Sequence, residues 1–247
     1  MTMSGVNSVR RMVEAQAWKE VENNYPNHTV SGRKSTRQQV SELMDIKPED
    51  ITDTGKLILM YGPPGSGKTS LIRTLGLEWK GWTSVQTIMD PEKFFGDAAY
   101  MMTVILEGEN SVVEEGVEDE TPPKQKYNLY IIEDAAELLS PKAGGPALSR
   151  LLNVADGLIG QGVKALFLIT TNVKMSEVHE AVARPGRALA EIEFPKFSVK
   201  ESNEWLKPYG LATSEGLSLA ELYGLVGSQA KVGEGAEGYV PSENIYV

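Results

Sequence analysis

The sequence predicts an α/β fold: a parallel sheet with helices on both faces. Two observations carry that prediction. From residue 57 onward, apolar runs of strand length alternate with helix-compatible runs, the pattern that builds a parallel sheet covered by crossover helices. The first apolar run, Leu57-Ile58-Leu59-Met60-Tyr61, leads directly into Gly62-Pro63-Pro64-Gly65-Ser66-Gly67-Lys68-Thr69-Ser70. That stretch fills the pattern G-x-x-x-x-G-K-[ST], and a helix-compatible run from Leu71 to Glu78 follows it. The strand–loop–helix setting distinguishes a phosphate-binding loop from a chance match.

The other elements follow in order. Trp82 to Met89 reads as a second strand and Asp97 to Leu106 as a helix. Asn128-Leu129-Tyr130-Ile131-Ile132 is continuously apolar, as strands buried on both faces are. Pro146 to Leu158 is an amphipathic helix with proline in its first turn. Ala165 to Thr170 is another buried strand, and Ile192 to Phe194 a short fifth one. Ahead of the sheet, residues 1–50 form an extension. Ser8 to Glu22 is helical, with Val9, Met12, Val13, Ala17 and Val21 on one side, and Ser35 to Met44 is a second short helix. This extension has too few apolar residues for a core of its own and is expected to pack on the main domain or a neighbouring subunit. Behind the sheet, Val199 to Lys207 and Leu217 to Val226 are helical patterns before a glycine-rich tail. The expected organisation is thus an extension (1–50), a large α/β domain (51–195), and a short helical lid with its tail (196–247). Glu107 to Lys126, rich in acidic residues and broken by Pro122-Pro123, reads as a solvated loop.

Composition removes several functions. The chain has no cysteine, so disulfides, thiolate metal sites and cysteine nucleophiles are excluded. Its two histidines, His28 and His179, are not in metal-ligand spacing. The net charge of −10 argues against a broad nucleic-acid-binding face. Arg33-Lys34 with Arg37 is one small basic candidate, and it reads as a solvated loop. No apolar run has the length of a membrane span, and the N-terminus lacks a signal-peptide core. The expected location is the cytoplasm.

The motifs specify a chemistry. In the glycine loop, backbone N–H groups can wrap a polyphosphate at a helix N-terminus. Lys68 can reach the β- and γ-phosphates, and the Thr69 hydroxyl can hold Mg²⁺. The third strand ends in Glu133-Asp134. Two carboxylates there suit Mg²⁺–triphosphate chemistry, one holding the metal and the other polarising the attacking water. The fourth strand ends in Thr170-Thr171-Asn172, where a polar side chain can position that water. Ala183-Arg184-Pro185-Gly186-Arg187 places two arginines around a Pro-Gly turn, and planar guanidinium groups suit phosphate recognition.

Together these segments, from about Leu57 to Pro195, resemble the AAA+ ATPases, and within them the classical AAA clade. Gly62 to Thr69 looks like Walker A, and Tyr130 to Asp134 like Walker B. Leu148 to Leu158 is similar to the family's Leu-Leu…Asp-Gly-Leu helix. Thr170-Thr171-Asn172 resembles sensor 1. Val182 to Arg187 resembles the second region of homology, whose arginines reach the neighbouring subunit's nucleotide. Phe94-Phe95-Gly96 falls where the family carries its pore loop. The resemblance implies a P-loop NTPase fold with a five-stranded parallel sheet in order 5-1-4-3-2 and a small helical lid. It also implies ATP and Mg²⁺ as ligands, and a ring-shaped homo-oligomer, most often a hexamer. There are departures. Walker B usually ends Asp-Glu, whereas this one ends Glu-Asp, an inversion shared with the mitochondrial inner-membrane translocase group. The lid is short, and the minimal layout is reminiscent of bacterial or phage ATPases.

By its position just after the strand Glu133 is the metal candidate, and Lys68, Glu133, Asp134, Asn172, Arg184 and Arg187 are the catalytic candidates. The leading functional expectation is an ATP-driven machine that remodels or translocates a protein client, gripping it through Phe94 and Phe95. The alternatives are a nucleotide-gated assembly factor with little turnover and a nucleic-acid-associated loader. Against the last stand the acidic balance and the absence of a recognisable nucleic-acid-binding module.

Overall fold

The computed structural model describes residues 16–29, 32–51, 55–110, 127–139, 145–156, 164–174, 182 and 188–230. The chain divides into two compact units, one of Gln39–Gly62 with Glu78–Glu193, the other of Met1–Gln38, Pro63–Leu77 and Phe194–Val247.

The first unit holds the sheet. Its strands are β1 (Leu57–Tyr61), β2 (Thr83–Thr87), β3 (Tyr127–Ile132), β4 (Ala165–Thr171) and β5 (Ala188–Glu193). All pairings are parallel and the order is β2-β3-β4-β1-β5, the arrangement the family resemblance implies. Every residue of β1 and β4 is buried, which is why these segments read as unbroken apolar runs. The edge strands β2 and β5 alternate or carry partly exposed residues, so their ends were harder to place from sequence. β5 begins at Ala188, four residues before the expected Ile192, because it pairs along the whole of β1 with a register shift between Leu57 and Ile58.

In chain order the helices are α1 (Trp18–Val21), α2 (Thr36–Asp45), α3 (Lys68–Glu78), α4 (Pro91–Gly96), α5 (Ala98–Asn110), α6 (Ala136–Leu139), α7 (Gly145–Asp156), α8 (Val199–Leu206) and α9 (Leu219–Ala230). The core of the sheet unit gathers Leu57, Leu59, Tyr130, Ile132, Phe167 and Ile169 with apolar residues of α4, α5 and α7.

Helix α4 corrects one sequence expectation. Phe94 and Phe95 are 1% and 0% exposed and belong to this core. They are not the side chains of an open pore loop, and Gly96 is the last residue of the same helix. The physical reason is local. Asp90 caps the helix, accepting from the Lys93 N–H at 2.9 Å, and Pro91 occupies its first turn. The two rings meet edge to face at 4.8 Å, and Phe94 also packs 6.2 Å from Tyr130. At the other end Arg150 of α7 donates to the carbonyls of Phe95 (2.5 Å) and Gly96 (2.7 Å), satisfying acceptors that a helix C-terminus leaves unpaired. Phe95→Ala is therefore expected to destabilise the fold by about 3–5 kcal/mol, a fall in Tm on the order of 10 °C. An unchanged melting curve would contradict the core assignment.

In the second unit, both lid helices start with the same sequence device, Ser-x-x-Glu. Ser198 accepts from the Glu201 N–H, and Glu201 accepts from the Ser198 N–H. Ser218 and Glu221 do the same at the start of α9, at 3.3 and 2.7 Å. Burial raises the Glu201 carboxyl. The hydrogen bonds it accepts from Ser198, Asn27 and His28 outweigh that and bring its pKa down to about 2. The Asn27 and His28 N–H groups reach Glu201 Oε1 at 2.6 and 2.9 Å, so this carboxylate ties the N-terminal segment to the lid helix. In the same unit Tyr25 lies edge-on to Phe194 at 6.0 Å. Arg37, one of the basic cluster, is partly buried and donates to the Tyr25 carbonyl at 3.1 Å.

Candidate active site

Three motifs directly follow the carboxyl ends of β3, β4 and β1, which are neighbours in the sheet. Ligands of open α/β sheets bind at such ends. The Gly62 N–H donates to the Thr171 carbonyl at 3.3 Å, so the chain leaves β1 alongside the end of β4.

The loop Gly62 to Ser70 passes into α3 at Lys68. Gly65 and Gly67 have φ of 71° and 97°, a region that side chains other than glycine rarely adopt. The space round them is also filled. A Cβ on Gly65 would come within 2.8 Å of the Ala220 Cβ. One on Gly67 would lie 3.1 Å from Leu219 and 3.2 Å from the Tyr25 ring. The lid helix α9 holds the loop directly: the Ala220 N–H, one of the donors a helix start leaves unpaired, donates to the Gly65 carbonyl at 2.9 Å. Tyr25 reaches it from the N-terminal segment, its hydroxyl donating to the Gly67 carbonyl at 3.4 Å. Lys68 is 7% exposed, and its Nζ donates to the Pro63 carbonyl at 3.0 Å.

This loop fits a polyphosphate. The Ser66 hydroxyl is buried within it without a hydrogen-bond partner, an orphan that a phosphate oxygen would satisfy. The cationic Lys68 and the N-terminus of the eleven-residue helix α3 supply positive potential. In the same unit a cavity of about 530 Å³ is lined by Asn24, Asn27, Trp205, Tyr209 and Tyr223, among others. Its wall residues Asn24 and Tyr223 lie close in sequence to Tyr25 and Leu219, the two residues beside Gly67.

The acidic pair sits at the exit of β3, and both side chains are exposed. The structure brings Asp134 and Asn172 together: Asn172 Nδ2 donates to Asp134 Oδ1 at 3.0 Å. Glu133 carries a carboxylate and Thr69 a hydroxyl, each a hard oxygen donor. Arg184, Arg187 and Gly157-Leu158 lie outside the described residues, as do His179 and most of the acidic stretch Glu107 to Lys126.

Sequence reasoning missed two contributors. Tyr25 is absent from the sequence-based candidates, although it is a large aromatic residue in an otherwise polar stretch, Glu22 to His28. Thr170 was read only as part of a motif, although it is a 2% exposed polar residue at the end of an apolar strand.

Residues 58–196 match the family model described as "ATPase family associated with various cellular activities (AAA)". The chain belongs to the AAA family. Among curated relatives, it is 26% identical over 222 residues to Protein CdcH of Halobacterium salinarum, covering 81% of this chain and 28% of that protein. It is 28% identical over 153 residues to the probable mitochondrial chaperone BCS1-B of Dictyostelium discoideum, covering 55% of this chain and 32% of the relative. With the proteasome-activating nucleotidase of Methanothermobacter thermautotrophicus it shares 26% identity over 225 residues, 85% of this chain and half (50%) of the other. The AAA chain thus spans only part of these relatives' length. In fold it is similar to a chain from the structure of the E. coli MS115-1 HORMA:CdnC:Trip13 complex, with a TM-score of 0.50 and 15% identity over 92% of this chain and 77% of that one. Among the described residues of this AAA protein, no helix is long and apolar enough to cross a membrane.

Proposed function

We propose that this AAA protein binds ATP with Mg²⁺, hydrolyses it, and uses the cycle to change shape against a protein partner. The observation that carries the reading is the Asp134–Asn172 hydrogen bond at 3.0 Å, on strand ends next to the one that enters the glycine loop. In this account the loop N–H groups and Lys68 hold the phosphates, and Thr69 with Glu133 holds the metal. When bound, Mg²⁺ neutralises charge on the phosphate oxygens. Asp134 accepts a proton of the attacking water, and Asn172 fixes one carboxylate oxygen so that the other faces that water. The cavity beside Asn24 and Trp205 takes the nucleoside, whose base has faces suited to aromatic walls.

Burial of Phe94 and Phe95 favours a nucleotide-gated assembly factor over a motor that threads its client, because the expected grip is part of the core. The protein assembles as a ring in this reading, and Arg184 and Arg187 act on the neighbour's nucleotide. A finger of this kind is worth on the order of 10³–10⁵ in rate. Mixing Arg187→Ala subunits with Lys68→Ala subunits is expected to restore part of the ATPase activity that each lacks alone. One partner then supplies the loop and the other the arginine. No rescue at any ratio, with mixed assembly confirmed by mass spectrometry, would contradict a shared site.

A further inference from the structure

The turn that leaves β3 adopts a conformation its residues do not favour. Asp134 has φ 53°, the one non-glycine residue with positive φ among the described residues. Left-handed backbone at a non-glycine residue persists where surrounding contacts hold it. Here the contacts come from the end of β4. The β3–β4 pairing finishes at Ile132 and Ile169. One step beyond, Thr170 takes over. Its side-chain Oγ1 accepts from the Asp134 N–H at 3.1 Å, and its carbonyl accepts from the Ala135 N–H at 3.0 Å. Two successive N–H groups of the turn thus end on one residue, through its side chain and its main chain. Thr170 is 2% exposed, and its backbone continues the β1 pairing opposite Met60, so the hydroxyl sits on a fixed strand. Two residues further on, Asn172 holds the Asp134 carboxylate. The end of β4 therefore grips Asp134 at both backbone and side chain.

We infer that Thr170 is a positioning residue: its hydroxyl, by accepting the Asp134 N–H, locks the left-handed turn that sets the Asp134 carboxylate against Asn172. This rests on the reading of Asp134 as the group that polarises water. Valine has nearly the shape of threonine but no acceptor. With valine the Asp134 N–H loses its partner, the turn relaxes toward right-handed backbone, and the carboxylate leaves its position. Serine keeps the acceptor.

The test compares Thr170→Val and Thr170→Ser in the full chain. In Thr170→Val, kcat for ATP is expected to fall by roughly 100-fold, the cost typical of a displacement of about 1 Å in a reacting group, with KM within about twofold because the phosphate contacts are elsewhere. Thr170→Ser is expected to restore most of kcat. A second readout needs no turnover. In nucleotide-free protein, hydrogen exchange at the Asp134 amide, followed by NMR, should be slow in the wild type and Thr170→Ser and at least about tenfold faster in folded Thr170→Val. Equal exchange in all three, or equal losses of kcat in the serine and valine variants, would overturn the inference and leave Thr170 a packing residue. A wild type that hydrolyses no ATP would overturn the proposed function instead, while the exchange comparison would still decide the role of Thr170.

Discussion

Asp134→Asn is expected to bind ATP as the wild type does and to lose turnover by roughly 10²–10⁴-fold, the usual worth of a positioned general base. The substitution is close to isosteric, and asparagine is among the residues that tolerate positive φ, so the turn at φ 53° survives it. The Asp134 N–H still reaches Thr170, and an amide oxygen can still accept from Asn172. What is lost is the negative charge that draws a proton from water. A near-native melting temperature with unchanged ATP affinity would place the loss in chemistry and not in folding. Glu133→Gln is expected to act differently, shifting the Mg²⁺ concentration that supports turnover. Phosphate release over a Mg²⁺ series measures both variants. If Glu133→Gln stops turnover while Asp134→Asn alters only the Mg²⁺ requirement, the order of the two letters has changed without a change of roles.

Much of this arrangement is legible in the sequence, for physical reasons that differ by element. β1, β3 and β4 are covered on both faces, so burial alone makes them apolar runs. The glycine loop is legible because its conformation excludes side chains at Gly65 and Gly67. The lid helices announce their starts through Ser198…Glu201 and Ser218…Glu221. Helix α4 was misread although its start was written in the same code: Asp90 followed by Pro91 is a helix N-terminus. The apolar doublet that follows matches the family's pore loop in position alone, and the local helix-start signal outweighs that match: the doublet fills the core. The grip on the loop by Tyr25, 42 residues away, and that on Asp134 by Thr170, 36 residues away, were not legible. Both are tertiary contacts, and no spacing rule in one sequence records them.

The central claim is that the loop from Gly62 to Ser70 holds the triphosphate of ATP, and Lys68 tests it most directly. The residue is 7% exposed, and its ammonium is bonded to a carbonyl of the loop itself. It is the sole cationic side chain of Gly62 to Ser70, so no neighbour in the loop can replace its charge. Removing one partner of a buried charge pair typically costs about 3–5 kcal/mol, on the order of 10²–10³-fold or more in Kd. Folding depends on it far less, because the loop is also held by Ala220 and Tyr25. The measurement is calorimetric titration of Mg·ATP into wild type and Lys68→Ala, with melting curves for both. The account predicts saturable binding to the wild type, none measurable in the variant, and similar melting temperatures. Near-wild-type affinity in Lys68→Ala would contradict it.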